Sequence, residues 1–272
     1  MRAALAAAIT AALLSGCATQ FSTRQETAAA LDKVLAGEHR SEANKARDAY
    51  RHPRETLLFF GLRPEMHVVE IWPDPEGWYT EIIAPLLREK GRYYAAIIDA
   101  EPGNAYEERR VTRFREKLAS RPDLYDRVVV TQLPADGGDI VPPGTVDMVL
   151  TFRNIHNWMA SGTAEQAFAA MFRALKPGGT LGVVEHRGDP SKPQDPQAKS
   201  GYVNEQYAID LIEAQGFRLV AKSEINANPR DTKDYAQGVW TLPPVFRAGD
   251  REKYAAIGES DRFTLKFVKP QN

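Results

Sequence analysis

Cysteine is almost absent from this chain, because Cys17 is the only one among 272 residues. A single cysteine excludes an intramolecular disulfide, and it also excludes a cysteine-rich metal site. Net charge is nearly absent as well, since 35 Lys and Arg residues are offset by 36 Asp and Glu residues. A protein that binds nucleic acid non-specifically carries a basic face or a high pI. The composition therefore predicts no nucleic-acid partner.

Long apolar runs are missing after the first 17 residues. Within that start, Met1 and Arg2 precede an apolar stretch over residues 3–14, which is too short to span a bilayer as a stable helix. The next residues, Leu-Ser-Gly-Cys, resemble the lipobox of bacterial lipoproteins. The resemblance implies cleavage before Cys17 and a lipid attached to it. The alternative is a fortuitous apolar start on a cytosolic protein.

The residue after the cysteine is Ala18 rather than Asp, which in such lipoproteins indicates sorting to the outer membrane. We therefore expect an exported lipoprotein at the periplasmic face, and a cytoplasmic protein if the start site is misassigned. The predicted organisation has three parts: residues 1–17 as signal peptide and lipobox, 18–60 as tether and N-terminal helices, and 61–272 as the main domain.

Strand-like and helix-like patterns alternate from residue 67 to residue 225. Strands separated by helices form a parallel sheet with right-handed crossovers. A seventh strand, predicted over residues 263–268, follows a long irregular stretch and need not be parallel. We predict an α/β fold with a doubly wound, mostly parallel seven-stranded sheet and an N-terminal helical extension. The first six strands are expected at 67–71, 92–98, 126–131, 146–151, 180–185 and 217–225.

Glycine is scarce where this fold class needs it most, in the turn after the first strand. Residues 68–82, VVEIWPDPEGWYTEI, contain an apolar strand ending at Glu70, a tight turn, and a helix that opens at Gly77. A nucleotide-like cofactor sits at such a turn, where glycines avoid a collision and adopt positive φ at low cost. Asp74 and Glu76 would repel a phosphate near the helix N-terminus, so a nicotinamide dinucleotide is disfavoured.

Other segments extend this pattern. Asp99 closes the second strand, and the turn LKPGG at 175–179 precedes the fifth. The chain resembles the class I S-adenosylmethionine-dependent methyltransferases. It is more closely similar to a bacterial group of predicted, often exported methyltransferases, through three segments in the second half of the chain. These are TFRNIHNWM at 151–159, VVEHR at 183–187 and EINANPRDTKD at 224–234.

The resemblance implies the cofactor S-adenosylmethionine, which has no phosphate and tolerates the acidic turn. In the family pattern, Trp72 occupies the position of the first glycine, and Asp99 accepts hydrogen bonds from the ribose hydroxyls. Asp99 can equally cap a turn, and Asp136 stands in an Asp-Gly-Gly sequence that is equally a plain turn. We assign cofactor-binding roles to Glu70, Trp72, Gly77, Asp99, Asp136 and Asn154.

The exit of the fourth strand, FRNIHNW at 152–158, is the richest in chemistry. His156 can act as a base near neutral pH, and Arg153 can bind a carboxylate. The alternative is that the histidines only satisfy loop hydrogen bonds. A metal site with Glu185 is not supported by any HxH or HxxxH spacing, so we predict no metal. We assign catalytic roles to His156, His186 and Arg153, and substrate-binding roles to Trp158, Asn157 and Trp240.

Residues 226–247 form a long polar stretch, which we interpret as a lid over this cleft or, alternatively, as a surface wrap. The leading hypothesis is an S-adenosylmethionine-dependent methyltransferase acting on an unknown small-molecule or envelope substrate. The alternative is a non-catalytic envelope lipoprotein on a degenerate methyltransferase fold that binds a small ligand. Fold alone does not decide between the two.

Overall fold

The computed structural model of the chain describes residues 15–271, with side chains from residue 24 onward. Most of the predicted signal peptide and the side chain of Cys17 lie outside the described residues, so lipidation of Cys17 stays a prediction. Among the helices in the described part of the chain, none is long and apolar enough to cross a membrane.

Seven strands form one sheet, as predicted: β1 (His67–Ile71), β2 (Arg92–Ile98), β3 (Val129–Leu133), β4 (Val146–Phe152), β5 (Leu175–His186), β6 (Arg218–Ser223) and β7 (Arg262–Val268). Their order across the sheet is β3-β2-β1-β4-β5-β7-β6. Strands β1 to β5 pair in parallel, whereas β7 runs antiparallel between β5 and β6. The prediction of a doubly wound, mostly parallel seven-stranded sheet is confirmed.

The helices that flank the sheet are α1 (Ser15–Leu35), α2 (Glu42–Lys45), α3 (Asp48–Arg51), α4 (Pro53–Phe60), α5 (Thr80–Leu87), α6 (Ala105–Ser120), α7 (Pro122–Tyr125), α8 (Ile155–Ser161), α9 (Ala164–Ala174), α10 (Glu205–Glu213) and α11 (Arg251–Ile257). A short 3₁₀ helix, η1, covers Gly238–Thr241. Neighbouring residues of a strand point to opposite faces. Val68 therefore joins an apolar cluster with Leu57 of α4, whereas Val69 joins a second cluster with Phe168 of α9.

The N-terminal helices share the core of the sheet domain. Leu31 of α1 and Phe60 of α4 are fully buried in the same cluster as Ile82 of α5. Gly182 of β5 makes the approach of α4 possible, because a Cβ there would lie 2.8 Å from the Phe60 ring. The sheet and residues 24–60 are thus packed together around this cluster.

Helices deviate from the sequence prediction mainly where they are short. The tether expected after residue 17 is helical at its start, because α1 covers Ser15–Leu35, and the N-terminal helices that follow include two of only four residues each, α2 and α3. Helix α3 ends at Arg51, and its cap, His52, has a left-handed φ of 40°; the next residue is Pro53, and right-handed helical backbone is disfavoured before proline. Helices α8 and α11 and the 3₁₀ turn η1 were not predicted, because four to seven residues give too little periodicity to detect.

Candidate active site

Two cavities open at the carboxyl edge of the parallel strands, where ligands bind in doubly wound folds. The first, which we name the Arg153 cavity, has a volume of about 290 Å³ and lies over the ends of β1, β4 and β5. The second, the Asp99 cavity, has a volume of about 240 Å³ and lies over the ends of β2 and β3. Trp72 lines both cavities and separates them.

Trp72 has a backbone conformation that is typical of glycine. Its φ is 47°, in the left-handed region that favours glycine. The backbone amide is held in place by donating to the carbonyl of Ala96 over 2.8 Å. The indole packs edge-on against Trp158, with ring centroids 5.6 Å apart, and its Nε1–H is buried with no partner among the described residues. The turn therefore keeps its shape while a large side chain fills its opening.

The Asp99 cavity is lined by two predicted site residues besides Trp72, which are Asp99 and Trp158. Asp99 is exposed, and its Oδ1 accepts from Gln132 over 2.8 Å. Trp158, which we assigned to the substrate, lies at this cavity instead and packs fully buried between Trp72 and Phe168. Its position does not support substrate contact in the Arg153 cavity. Its Nε1–H is also buried without a partner in the described part of the chain.

Three predicted cofactor residues have local structural partners. Asp136 lines neither cavity and accepts from the amide of Gly138 over 2.9 Å, as in a plain turn. Gly77 also lies outside both linings, and a Cβ there would lie 3.3 Å from Thr80. Asn154 borders the Arg153 cavity, but its Nδ2 donates to the Ile71 carbonyl over 3.0 Å. That bond ties the end of β1 to β4, so the side chain has a structural partner already.

Glu70 forms part of the wall of the Arg153 cavity, as its position at the end of β1 predicts. It is buried, and its Oε2 accepts from the hydroxyl of Tyr93 over 2.5 Å. Burial raises the pKa of Glu70 to about 8, and the Tyr93 bond opposes this only in part. The carboxyl group is therefore mostly protonated at neutral pH, which leaves it neutral rather than anionic.

His156 is oriented by Glu185, a residue that the sequence analysis considered only as a metal ligand. The Nδ1 of His156 lies 3.1 Å from Oε1 of the fully buried Glu185. The other oxygen of Glu185 accepts from the amide of Ile155 over 2.6 Å, at the N-terminus of α8. The carboxylate thus fixes the proton on Nδ1 and leaves Nε2 as the basic atom.

His186 lies in the same cavity, with its ring centroid 5.4 Å from that of His156. Its Nδ1 lies 2.5 Å from the hydroxyl of Ser260. Burial lowers the pKa of His186 well below its ordinary value, and the charges of His156 and Arg153 add to the effect. His186 is therefore neutral at pH 7 and supplies a polar wall rather than a charge.

His156, Glu185 and His186 each offer one ligand atom within 4.8 Å of the others, which is a possible geometry for a metal. Two features oppose a bound cation. The oxygens of Glu185 already accept from backbone amides and from His156. Arg153 and Arg262 both lower the pKa of His186, so positive charge lies near one of the three candidate ligands.

A cluster of arginines, which the sequence analysis missed except for Arg153, surrounds Glu259. This carboxylate accepts from Arg47 over 2.7 Å and from Arg51 over 3.1 Å, and it pairs with Arg262 at 3.1 Å. Although burial acts to raise it, the pKa of Glu259 is held well below its usual range by these arginines. Glu259 lies 208 residues from Arg51 along the chain, so no local sequence pattern could have joined them.

The lid expected from residues 226–247 does cover the Arg153 cavity, through Trp240 and residues 243–245. The Trp240 ring lies 6.0 Å from that of His156. The lid is fixed at Gly238, where a Cβ would lie 2.0 Å from the Ser200 carbonyl. Asn157 is exposed at the rim of the same cavity. Asn157 and Trp240 were both predicted to bind substrate, and both lie beside the Arg153 cavity.

No protein-family model matches the chain, and no curated protein sequence matches it. Solved structures do match. An S-adenosylmethionine-dependent methyltransferase from Aquifex aeolicus is 18% identical, with a TM-score of 0.56 over 89% of this chain and 98% of that chain. The [4+2]-cyclase SpnF is 16% identical, with a TM-score of 0.59 over 93% of this chain and 97% of that chain.

A third match is the glycopeptide N-methyltransferase MtfA, which is 14% identical with a TM-score of 0.52. It covers 85% of this chain and all of its own length. At such low identity these similarities establish the fold and leave the reaction open, as the presence of a cyclase among them illustrates. The chain has the Rossmann-like fold of the S-adenosylmethionine-dependent methyltransferases.

Proposed function

We propose that this protein binds S-adenosylmethionine and transfers its methyl group to a small molecule. One observation carries the proposal: two cavities meet at Trp72, at the strand ends where this fold binds its cofactor, and each has an acid at a strand end. Glu70 stands at the wall of one, and Asp99 stands at the rim of the other. A long ligand with two polar ends suits this pair of cavities.

The residues of the Asp99 cavity fit the nucleoside end of that cofactor. Asp99 is an acceptor suited to ribose hydroxyls, and Trp72 and Trp158 border the same space. Their buried indole N–H groups have no acceptor among the described residues, and such groups are costly to leave unpaired. Nitrogen and oxygen atoms of an adenosine would supply acceptors. Glu70 and Asn154 would then border the amino-acid end.

When bound, the cofactor supplies an electrophilic methyl group; the residues of this chain position the acceptor and handle its proton. His156, with its Nε2 free and Nδ1 held by Glu185, is the group best placed to remove a proton from an acceptor hydroxyl or amine. Trp240 and the other lid residues limit the access of water to the same space. Catalysis rests mainly on holding the two reactants in line.

A second function is favoured by one specific observation, the side chain of Trp72. It fills the turn that glycine leaves open in cofactor-binding members of this fold class, and it separates the two cavities. If that separation persists in solution, the chain is a non-catalytic binding protein that holds a small ligand in the Arg153 cavity alone. In this alternative the protein has the same fold but does not transfer a methyl group.

We further propose that the protein acts outside the cytoplasm, anchored by a lipid on Cys17. The support is the order of a positive start, a short apolar stretch and Leu-Ser-Gly-Cys. Fractionation of cells that express the wild type and Cys17→Ser, together with metabolic labelling by a fatty acid, tests it. We expect fatty-acid label on wild-type protein in the membrane fraction and no label on Cys17→Ser. Wild-type protein that is soluble and unlabelled would refute the anchor.

Calorimetric titration with S-adenosylhomocysteine tests the function, with Cys17→Ser as the soluble background. We expect binding in the micromolar range that Asp99→Asn weakens about tenfold, because a charge-assisted hydrogen bond is worth about 1.5 to 3 kcal/mol. Asp136→Asn is the matched control, since Asp136 is also an acid in a loop after a strand but lies outside both cavities. Equal loss in both variants would refute the role of Asp99, and no heat from the wild type at millimolar ligand would refute cofactor binding.

A further inference from the structure

Arg51 has hydrogen-bonding capacity that no described residue uses. Its side chain is only 2% exposed, and its Nε bonds Glu259 over 3.1 Å. The guanidinium stacks over the ring of Trp78, 4.7 Å from the centroid. Its Nη1, however, is buried with no partner in the described part of the chain, and the residue lines the Arg153 cavity. A rigidly held, buried donor of this kind indicates an acceptor that comes from outside.

Arg153 lines the same cavity. It stands at the end of β4 with a φ of 61°, and its amide donates to the Val184 carbonyl over 2.7 Å. Among the described side chains, none forms an ion pair or a hydrogen bond with its guanidinium. Burial lowers the pKa of Arg153 to about 9, and the charge of Arg51 adds to the shift. The group stays mostly cationic at pH 7, and among the described residues no carboxylate pairs with it directly.

The lining of this cavity carries more positive than negative charge. Four of the lining residues are arginines: Arg47, Arg51, Arg110 and Arg153. The acids of the lining are Glu70, Asp74 and Glu259, of which Glu70 is mostly protonated at neutral pH. A half-closed space with an excess of one charge attracts the opposite charge.

We propose that Arg51 and Arg153 together bind an acidic group, a carboxylate or a phosphate, of the methyl acceptor. The acceptor would then lie with its acid between the two guanidinium groups and its reacting atom towards His156, which borders the same cavity. The identity of the ligand as an acceptor rests on the proposed function, whereas the anion site itself does not.

The pair has charged neighbours at the start of β7 and in the turn after β1. Arg51, Glu259 and Arg262 are the charges that act most strongly on Arg153, and the last two lie at the start of β7, next to Ser260. Arg51 and Arg153 also act on Asp74 in the turn after β1, so titration in the presence of S-adenosylhomocysteine distinguishes the acceptor from the carboxylate of the cofactor. Arginine is also the side chain best suited to planar recognition of a carboxylate or phosphate.

The first measurement titrates the ligand-free protein with benzoate and with inorganic phosphate. We expect weak binding of at least one of them, and about tenfold weaker binding by Arg153→Gln, since one charge-assisted hydrogen bond is lost. Arg113→Gln is the matched control, because Arg113 pairs with Glu76 outside this cavity. Binding that is equal in all three proteins, or absent from the wild type, would overturn the proposal. Arg153 is half-buried, so its variant should fold, and circular dichroism verifies this.

The second measurement repeats the titration with S-adenosylhomocysteine at saturation. If the acid belongs to the acceptor, the anion still binds, and Arg153→Gln binds S-adenosylhomocysteine as the wild type does. If the pair instead holds the cofactor, S-adenosylhomocysteine displaces the anion, and Arg153→Gln weakens S-adenosylhomocysteine but not 5′-methylthioadenosine, which lacks the carboxylate. That result would overturn the assignment to an acceptor. Anion binding without any S-adenosylhomocysteine binding would refute the proposed methyltransferase and leave the anion site standing.

Discussion

The carboxylate of Glu185 lies 3.1 Å from Nδ1 of His156, and both side chains are buried. Because Glu185 also accepts from the backbone amides of Ile155, His156 and His186, its position is fixed by several bonds at once. A carboxylate held in this way sets both the tautomer and the orientation of the imidazole. This contact therefore orients the imidazole of His156 and leaves its Nε2 free to act as a base.

The substitution Glu185→Gln should reverse the tautomer of His156. Glutamine has nearly the same shape, but its amide presents an N–H to Nδ1, which then accepts, and the ring proton moves to Nε2. Nitrogen-15 chemical shifts of the imidazole measure the change directly and need no substrate. Ser260→Ala is the control, because Ser260 contacts His186 instead. If His156 keeps its proton on Nδ1 in Glu185→Gln, Glu185 does not set the tautomer.

The substitution Trp72→Phe should destabilise the free protein less than the loss of a bonded indole does, and it should weaken cofactor binding. The indole N–H is buried without a described partner, so its removal should offset, by about 1 kcal/mol, the packing that the smaller ring loses. The same N–H would be a donor to S-adenosylhomocysteine, whose affinity should fall several-fold. Denaturant unfolding measures the first effect, and calorimetry measures the second.

Trp78→Phe is the matched control for that experiment. The indole N–H of Trp78 donates to the Asn44 carbonyl over 2.9 Å, so its loss should destabilise the protein by about 1 kcal/mol or more. If both variants are destabilised equally, the N–H of Trp72 has a partner in solution, and the argument that it awaits a ligand fails.

The sequence predicted the sheet well because its signal is local. Each strand is a short apolar run between turn residues, and the alternation with helices restricts the topology to a few possibilities. The acids at the ends of β1 and β2 were placed by the same logic, since the carboxyl ends of parallel strands share one edge. Glu70 and Asp99 accordingly border the two cavities.

The rest of the site was beyond prediction because it depends on contacts between distant segments. Glu259 meets Arg47 across 212 residues, and nothing in either segment alone indicates the other. Trp158 was expected beside the substrate because it follows β4, but α8 turns it into the core. A seven-residue helix leaves too weak a pattern to reveal which face its residues occupy.

The substitution Glu259→Gln should destabilise the protein strongly at neutral pH. It leaves Arg47, Arg51 and Arg262 without their shared carboxylate, and breaking a buried ion pair typically costs about 3 to 5 kcal/mol. The pKa of Glu259 is lowered, so its contribution to stability is present above the ordinary pKa of 4.5 and is lost as the pH falls below it. Urea unfolding from pH 3 to pH 7 should show a difference in the free energy of unfolding between wild type and variant, and this difference should become smaller as the pH falls. A difference that does not change with pH would contradict the lowered pKa of Glu259.

The pH dependence of Glu70 should have the opposite sign. Its pKa is raised from 4.5 to about 8, so its contribution to stability is complete below pH 4.5 and decreases as the pH rises towards 8, while the unfolded chain ionises and the folded chain does not. Glutamine does not ionise, so Glu70→Gln removes this loss of stability at higher pH. We therefore expect the two proteins to have similar stability near pH 4 and the variant to be more stable by up to about 4 kcal/mol at pH 8.

Melting temperatures of wild type and Glu70→Gln between pH 4 and pH 8 measure this difference. Glu65→Gln is the control, because Glu65 pairs loosely with Lys90 at the surface, at 3.9 Å, and such pairs contribute little. Parallel curves for wild type and Glu70→Gln would show that Glu70 ionises in the folded protein. An ionised Glu70 would cancel part of the positive charge of the Arg153 cavity, so the same curves also test whether that cavity is suited to an anion.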